Sequence, residues 1–330
     1  MAVRAPSEPS PDGPGRALDS IDAALVRELQ LDGRASAQTL ANRVGLSRTA
    51  ARARVQRLLE TGVVRVVGIV HADVAGMGAI AHVSLAVEGS SRAPAARIAT
   101  RDAATFVSRI VGQYALIVEL RAGDDDALAA ELDWLRAQPA VCRVDVFRCA
   151  AAVKDAYSVV RELEPFPLDA LDWRLLQELQ RDGRAPYTKL ATSVGLSQAA
   201  TRARIVRLMD SGTVHISGLV SSAALGVREG AGLGVRVRGD ARAAAERIAE
   251  LPGLNYVLTG FGRFDVVCGA DAPSRAELLE LIDAVRARPE VRALEAWYHL
   301  DVVKESYAVD LARVAARANG LPRDRGRRPA

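Results

Sequence analysis

Aromatic residues are scarce in this sequence: five Phe, six Tyr and three Trp among 330 residues. Its cores must therefore be built mainly from Leu, Val, Ile and Ala. Lysine is nearly absent, occurring only at Lys154, Lys189 and Lys304, so the positive charge is carried by arginine. The arginine bias follows a GC-rich coding composition equally well and has no functional weight by itself. Three cysteines, Cys142, Cys149 and Cys268, form neither a CxxC pair nor an even set. With four histidines and no metal-ligand spacing, neither a zinc site nor a disulfide framework is expected, which fits a reducing compartment. No cofactor is called for. No apolar run reaches the roughly 18 residues that a membrane helix needs. The opening stretch MAVRAPSEPSPDGPG has no hydrophobic signal segment, so a cytoplasmic protein without a membrane partner is expected.

What is present is a repeat. Residues 18–36 read LDSIDAALVRELQLDGRAS and residues 168–186 read LDALDWRLLQELQRDGRAP. The offset of 150 persists without a gap through 70 and 220, and further downstream it pairs Gly112 with Gly262, Tyr114 with Phe264, and VKDAY at 153–157 with VKESY at 303–307. A period this long means duplicated domains rather than a solenoid. The Pro/Ser/Gly-rich residues 1–16 are expected to be disordered. RELEPFP at 161–167 is expected to be a linker, because its two prolines oppose helix. The arginine-rich stretch 311–330 is expected to be a basic tail, either a solubilising end or an arm touching DNA backbone.

Each unit opens with three helix signals. Ile21, Leu25, Val26 and Leu29 form one apolar face after Asp19, a fair N-cap, with Asp22 adding charge to the first turn. Gly33 stops that helix. A second, carrying Leu40, Ala41 and Val44, stops at Gly45, and Ser47 caps a third that runs to about Thr61. Two short helices joined through Gly and followed by a Ser-capped helix are the sequence form of a helix-turn-helix. In the third helix, Ala51, Val55, Leu58 and Leu59 are read as the buried face. Arg48, Thr49, Arg52, Ala53 and Gln56 lie opposite, with Arg54 and Arg57 flanking. In the second copy Ser197 is the cap, and Ala200, Ile205, Leu208 and Met209 are read as buried. Gln198, Ala199, Arg202, Ala203 and Val206 face outward, with Arg204 and Arg207 alongside. In a major groove Arg can bond guanine in bidentate fashion and Gln can bond adenine, while flanking Arg neutralise phosphates. Double-stranded DNA is thus the expected partner of Ser47, Arg48, Thr49, Arg52, Arg54, Gln56, Arg57, Ser197, Gln198, Arg202, Arg204 and Arg207. Because Arg48 faces Gln198 and Gln56 faces Val206 across the repeat, the two helices should prefer different bases.

Gly62 and Gly212 end the third helices, and the β-branched stretches 63–70 and 213–220 read as strands leaving the DNA module. The remainder of each unit reads strand-helix-strand-strand-helix-strand, the ferredoxin-like order. The strands are expected at 80–88, two within 105–120, and 141–148, with helices at 92–100 and 125–138. In the second copy strands are expected at 231–238, two within 255–269, and 291–298, with helices at 241–250 and 274–288. One sheet face would lie under the helices, leaving the other for a second copy to cover, so the two units are expected to pair as an intramolecular pseudo-dimer. The organisation is α+β: a helix-turn-helix at 17–65, a ferredoxin-like domain at 66–160, a linker at 161–167, then a second pair at 168–215 and 216–310, and the tail at 311–330.

Taken together, LDxID, DGR, VGLS, RxxRL at 54–58 and 204–208, and Gly262-Arg263-Phe264-Asp265 give a chain that resembles the Lrp/AsnC family over about 18–160 and 168–310. The resemblance implies a transcriptional regulator in which each helix-turn-helix is a winged helix-turn-helix, and whose ferredoxin-like domains pair sheet to sheet, sense an amino acid or related small molecule, and assemble into larger homo-oligomers. The effector positions it implies are Gly112, Tyr114, Gly260, Gly262, Phe264 and Asp265. The first copy departs from the pattern, with Ala115 where the second has Asp265. A carboxylate there could meet an effector's ammonium group or hold the loop by accepting backbone N–H bonds. The first sensing domain is therefore expected to have lost or altered its site. Two other functions compete. Siroheme decarboxylases resemble this fold and also occur as fused pairs, but they would need His and Arg gathered in one cleft. His71, His82, His215 and His299 are scattered along this chain with no counterparts across the repeat, so an enzyme is not expected. An architectural DNA-compacting protein would share the helix-turn-helix pair. A ligand at the junctions between sensing domains would bias the spacing of the two recognition helices.

Overall fold

The computed structural model describes residues 18–155, 163–164, 166–220, 227, 229–306, 311 and 314–315. The stretch expected to be disordered at 1–16, the repeated Tyr157 and Tyr307, and the tail beyond 315 lie outside the described residues.

Each unit begins with three helices, α1 (Ser20–Leu31), α2 (Ala37–Val44) and α3 (Arg48–Glu60) in the first. The Asp19 side chain accepts from the N–H of Asp22 and caps α1. Gly45 closes α2 at φ 70°, in the left-handed region that suits glycine. The Ser47 hydroxyl then accepts from the Ala50 N–H and starts α3. After β1 (Val64–Val70) and β2 (Ala79–Val87) come α4 (Arg92–Ala99), β3 (Ala104–Arg109), β4 (Leu116–Ala122), α5 (Asp125–Arg136) and β5 (Val141–Lys154). The second unit repeats the order as α6 (Ala170–Arg181), α7 (Tyr187–Val194), α8 (Gln198–Asp210), β6 (Val214–Val220), β7 (Glu229–Val237), α9 (Ala241–Ala249), β8 (Leu254–Gly262), β9 (Val266–Ala272), α10 (Arg275–Arg286), β10 (Val291–Tyr298) and β11 (Asp301–Glu305).

The two helix-turn-helix modules are one body. β1 pairs antiparallel with β6, from Val64 opposite Val220 to Val70 opposite Val214. The strand expected to leave the DNA module thus finds its partner in the other copy, and the boundaries read at 65/66 and 215/216 fall inside these shared strands. Gly68 and Gly218 let the helices cross close to the ribbon: a Cβ on Gly68 would lie 3.0 Å from the Leu179 Cβ of α6, and one on Gly218 would lie 3.2 Å from the Leu29 Cβ of α1. Leu25, Leu29, Leu40, Leu175, Leu179 and Leu190 join in a single apolar core, each contributing roughly 1.5–3 kcal/mol by leaving water. Phe166, in the supposed linker, packs against this core, and so do Leu311, Val314 and Ala315 at the start of the supposed tail. Their apolar side chains have a core to enter that the sequence alone did not show.

The ferredoxin-like parts form one nine-stranded series in the order β10-β7-β9-β8-β5-β2-β4-β3-β11. β5 is longer than read. Its first half pairs with β2, and from Phe147 onward it pairs with β8 of the other unit. β11 does the reverse, pairing with β3. Only His299 and Leu300 separate β10 from β11, so the two ends of the series are joined by the chain itself. The half-sheets enclose a common interior containing Ile110, Tyr114, Ile117, Phe147, Phe264 and Trp297. The pseudo-dimer is therefore formed by exchanged strands as well as by covered faces. Lys154 and Lys304 lie within these exchanged strands and donate to the carbonyls of Ala249 and Arg101.

The junction leaves no room for a larger residue at Gly260, where a Cβ would stand 2.1 Å from the Arg148 carbonyl oxygen. Gly260→Ala should therefore force β5 and β8 apart and cost about 1–3 kcal/mol. Urea unfolding of the variant checks this, and a midpoint equal to the parent's would count against the tight junction.

Candidate nucleic-acid interface

The arginines of the third helices fall into two sets. Asp22 and Asp172 sit in the first turns of α1 and α6, where the helix dipole favours a negative charge, and both are buried, at 4% and 1% exposure. Arg54 and Arg57, one turn apart on α3, both reach Asp22. Arg54 stands 2.8 Å from Asp22 and 2.6 Å from Asp19, and Arg57 Nη2 pairs with the second Asp22 oxygen. The second copy repeats this, with Arg204 at 2.9 Å and Arg207 at 3.0 Å from Asp172, and Arg204 at 2.6 Å from Asp169. Hydrogen bonds from Arg54 and from the Asp22 N–H hold the Asp19 carboxyl below its ordinary range. Arg207 also lies over the Phe166 ring at 4.7 Å. The four flanking arginines are thus engaged in fixing the recognition helix to the first helix. Their expected partners were phosphates; in the free protein their partners are these carboxylates. The repeated D-x-x-D and R-x-x-R spacings were visible, but nothing in them showed that the two faced each other.

The other set points outward. Arg48, Thr49, Arg52, Ala53 and Gln56 are exposed on α3, as are Gln198, Ala199, Arg202, Ala203 and Val206 on α8. Among the described residues no carboxylate pairs with Arg48, Arg52 or Arg202. Gln56 donates to Glu60 at 2.8 Å, so its amide must turn from that partner to meet a base. Val206 is 41% exposed, an apolar side chain on the outward face. The buried face was misread at one position. Thr201, not Ala200, is enclosed, and its hydroxyl donates to the Ser197 carbonyl at 3.0 Å. Ala200 is exposed. Thr201 is the true counterpart of Ala51.

The modules are clasped to each other through their DGR turns. Gly33 N–H donates to the Ile216 carbonyl and Gly183 N–H to the Val66 carbonyl, at 2.8 and 2.9 Å. Arg34 donates to Ala185 O at 2.5 Å, and Arg184 donates to Gly33 O at 2.7 Å and Ala35 O at 3.3 Å. Sequence reading took DGR only as a helix stop. These exchanges fix how the two outward arginine faces stand relative to each other.

The residues implied as effector-binding are brought partly together, but by packing. Tyr114 and Phe264 are each 4% exposed, inside the common interior. The Arg263 guanidinium lies over both rings, at 3.9 and 4.8 Å. Gly112 and Gly262 take φ values of 125° and 109°. The Asp265 carboxylate accepts from the Val237 N–H at 2.9 Å and from Arg236 at 3.2 Å, so of the two roles open to it the structure shows the one that holds the loop. In the first copy, where Ala115 has no carboxylate, the Tyr114 hydroxyl bonds Asp145 instead.

The histidines, scattered in sequence, are not all scattered in space. His82 stacks obliquely on Trp297 at 5.6 Å, and His299 bonds Ser108 at 2.9 Å. Burial holds the His82 ring down to about 4, and the same cause, with His82 nearby, brings His299 to about 4. Burial alone would raise the adjacent Glu119 carboxyl, but Arg121 at 2.7 Å and Thr105 at 2.9 Å keep it below its usual range. The sequence could not reveal this cluster because its parts come from β2, β3, β4 and the end of β10.

Residues 18–59 and 168–209 match the AsnC-type helix-turn-helix domain. With two such domains, each exposing an arginine-bearing third helix, this is a helix-turn-helix DNA-binding protein. The leucine-responsive regulatory protein of Rhizobium meliloti (strain 1021) is 36% identical over 150 residues, covering 44% of this chain and 96% of that protein. The HTH-type transcriptional regulator FL11 of Pyrococcus horikoshii is 28% identical over 142 residues, covering 42% of this chain and 94% of its own. The chain belongs to the Lrp/AsnC family, with two family-sized units in one polypeptide. Among solved structures, the siroheme decarboxylase NirDL is similar at a TM-score of 0.65 and 14% identity, over 91% of this chain and 98% of that one, which shows a shared two-unit fold. Among the described residues, no helix is long and apolar enough to cross a membrane.

Proposed function

We propose that this chain is a cytoplasmic, sequence-specific DNA-binding transcriptional regulator that reads two unlike half-sites with one polypeptide. The observation that carries the reading is the division among the arginines: Arg48, Arg52 and Arg202 are exposed without an ion pair among the described residues, while Arg54, Arg57, Arg204 and Arg207 are tied to buried carboxylates. Base-reading groups are those left unengaged on a face that has been fixed in place. The shared β1–β6 ribbon and the crossed DGR turns support presentation of both helices to successive major grooves. Gln56 suits adenine, and the exposed Val206 suits the thymine methyl at the corresponding position of the other half-site. The site is then an imperfect inverted repeat.

Arg52→Ala and Arg202→Ala should each weaken binding to the selected duplex by about 1–3 kcal/mol and relax specificity at one position. Arg54→Ala should act differently, lowering stability as well as affinity. Duplex selection from a random pool followed by anisotropy titration tests this. Parent-like binding of the selected site by both Arg52→Ala and Arg202→Ala would remove the groove assignment. An architectural protein would instead show a steep salt slope and indifference to point changes in the duplex.

An amino acid or related small molecule is the proposed effector class, and further chain-to-chain association the proposed assembly. A non-enzymatic role is supported by the curated regulators the chain resembles. Turnover of siroheme by the purified protein would overturn it.

A further inference from the structure

We infer that a hollow beside the first recognition helix binds a small carboxylate with a short apolar chain and no amino group. The hollow has a volume of about 220 Å³ and is lined by Ala37, Leu40, Val55, Leu59, Gln56, Arg52 and Arg184. Its floor is apolar and comes from α2 and α3. Its two cations come from different units, Arg52 from α3 and Arg184 from the DGR turn of the second copy.

The repeat differs at this hollow in one residue. In the second copy the position of Ala37 is held by Tyr187. That ring packs against the shared core and lies under the Arg34 guanidinium at 4.6 Å. Ala37 offers Arg184 no ring. Arg184 donates to two backbone carbonyls, at 2.7 and 3.3 Å, and Asp32 and Asp182 offset its charge only in part. Burial, and then the neighbouring Arg34, lower its affinity for its own proton. A carboxylate placed between Arg184 and Arg52 would offset that desolvation and repulsion, and an alkyl tail would cover Leu40, Val55 and Leu59. An α-ammonium would face both guanidinium groups, so a free amino acid is disfavoured. The ligand class is the deaminated acid.

The consequence for DNA rests on the function proposed above. Arg52 and Gln56 are both lining residues and groove-facing residues, so an occupied hollow withdraws Arg52 from the duplex.

The test uses the full chain and 4-methylpentanoate as probe, first without DNA, following the methyl resonances of Leu40, Val55 and Leu59. Saturable shifts with a Kd on the order of 1 mM are expected for a ligand of this size. Leucine and 4-methylpentan-1-ol should each bind at least about tenfold more weakly. Ala37→Tyr, which copies the second unit, should abolish the shifts, and Ala37→Leu serves if the ring is not accommodated. Tyr187→Ala should open a matching site beside Leu190 and Ile205. No saturable shift at those methyls, or equal binding by both filled variants, overturns the inference. Adding the selected duplex separates the two claims. The probe should weaken DNA binding by the parent and not by Ala37→Tyr. If no duplex is bound at all, the regulator reading fails while the methyl titration still decides the site.

Discussion

Lowering the pH from 7 to 4 should destabilise this protein by about 2–3 kcal/mol more than it destabilises a His82→Gln variant. His82 is 4% exposed and its ring is held down to about 4 from an ordinary value of 6.5, by burial first. Of the charged groups around it, Glu119 favours the protonated ring and Arg263 opposes it, while a proton on His82 opposes one on His299. The sign follows directly. Above about 6.5 the ring is neutral folded and unfolded, and nothing is lost. As the pH falls from 6.5 toward 4, the unfolded chain takes up a proton that the folded core refuses, and stability declines. Urea midpoints measured across this range for parent and variant give the result. Superimposable curves would mean that His82 is not buried in its neutral form. His299 adds to the same slope, so the double variant should be flatter still.

Removing the Asp172 carboxylate should cost about 3 kcal/mol of stability and most of the DNA affinity. The Asp172 side chain is 1% exposed, while Arg204 and Arg207 retain 27% and 52%. The arginines can turn to water, so the loss comes chiefly from the charge-assisted bonds and the freed α8. Asp172→Asn preserves shape and one acceptor and should cost less than Asp172→Ala. Asp22→Ala should behave alike in the first module. Calorimetry and anisotropy on the same samples separate folding from binding. A fully stable Asp172→Ala protein that no longer binds DNA would mean that the carboxylate touches the duplex rather than the helix.

Much of this was legible in the residues. The repeat, the order of helices and strands, the Gly-to-Ser turn before each third helix and the outward arginines follow from local periodicity and capping, which a sequence displays directly. What it did not display were relations across the repeat. β1 shows in the sequence only as a strand leaving the DNA module, because its partner, β6, lies 150 positions away. Arg54 looked as free as Arg52 because Asp22 approaches it only after the helices cross. Ala200 and Thr201 differ by one position in the helical pattern, which exchanges one helix face for its neighbour. His82 and His299 seemed unrelated because four strands must assemble before they meet. Tyr114 and Phe264 carried a binding-site pattern, yet the exchange of β5 and β11 places them inside the core.

That exchange of strands bears on how such a chain is inherited and taken apart. Neither half owns a complete sheet, since each lends the strand that finishes the other. A half expressed alone must borrow from an identical sibling, and the product is a symmetric dimer with a palindromic preference. Fusion removes that option, and with the two unlike half-sites proposed above it would give the bound protein a direction along its DNA.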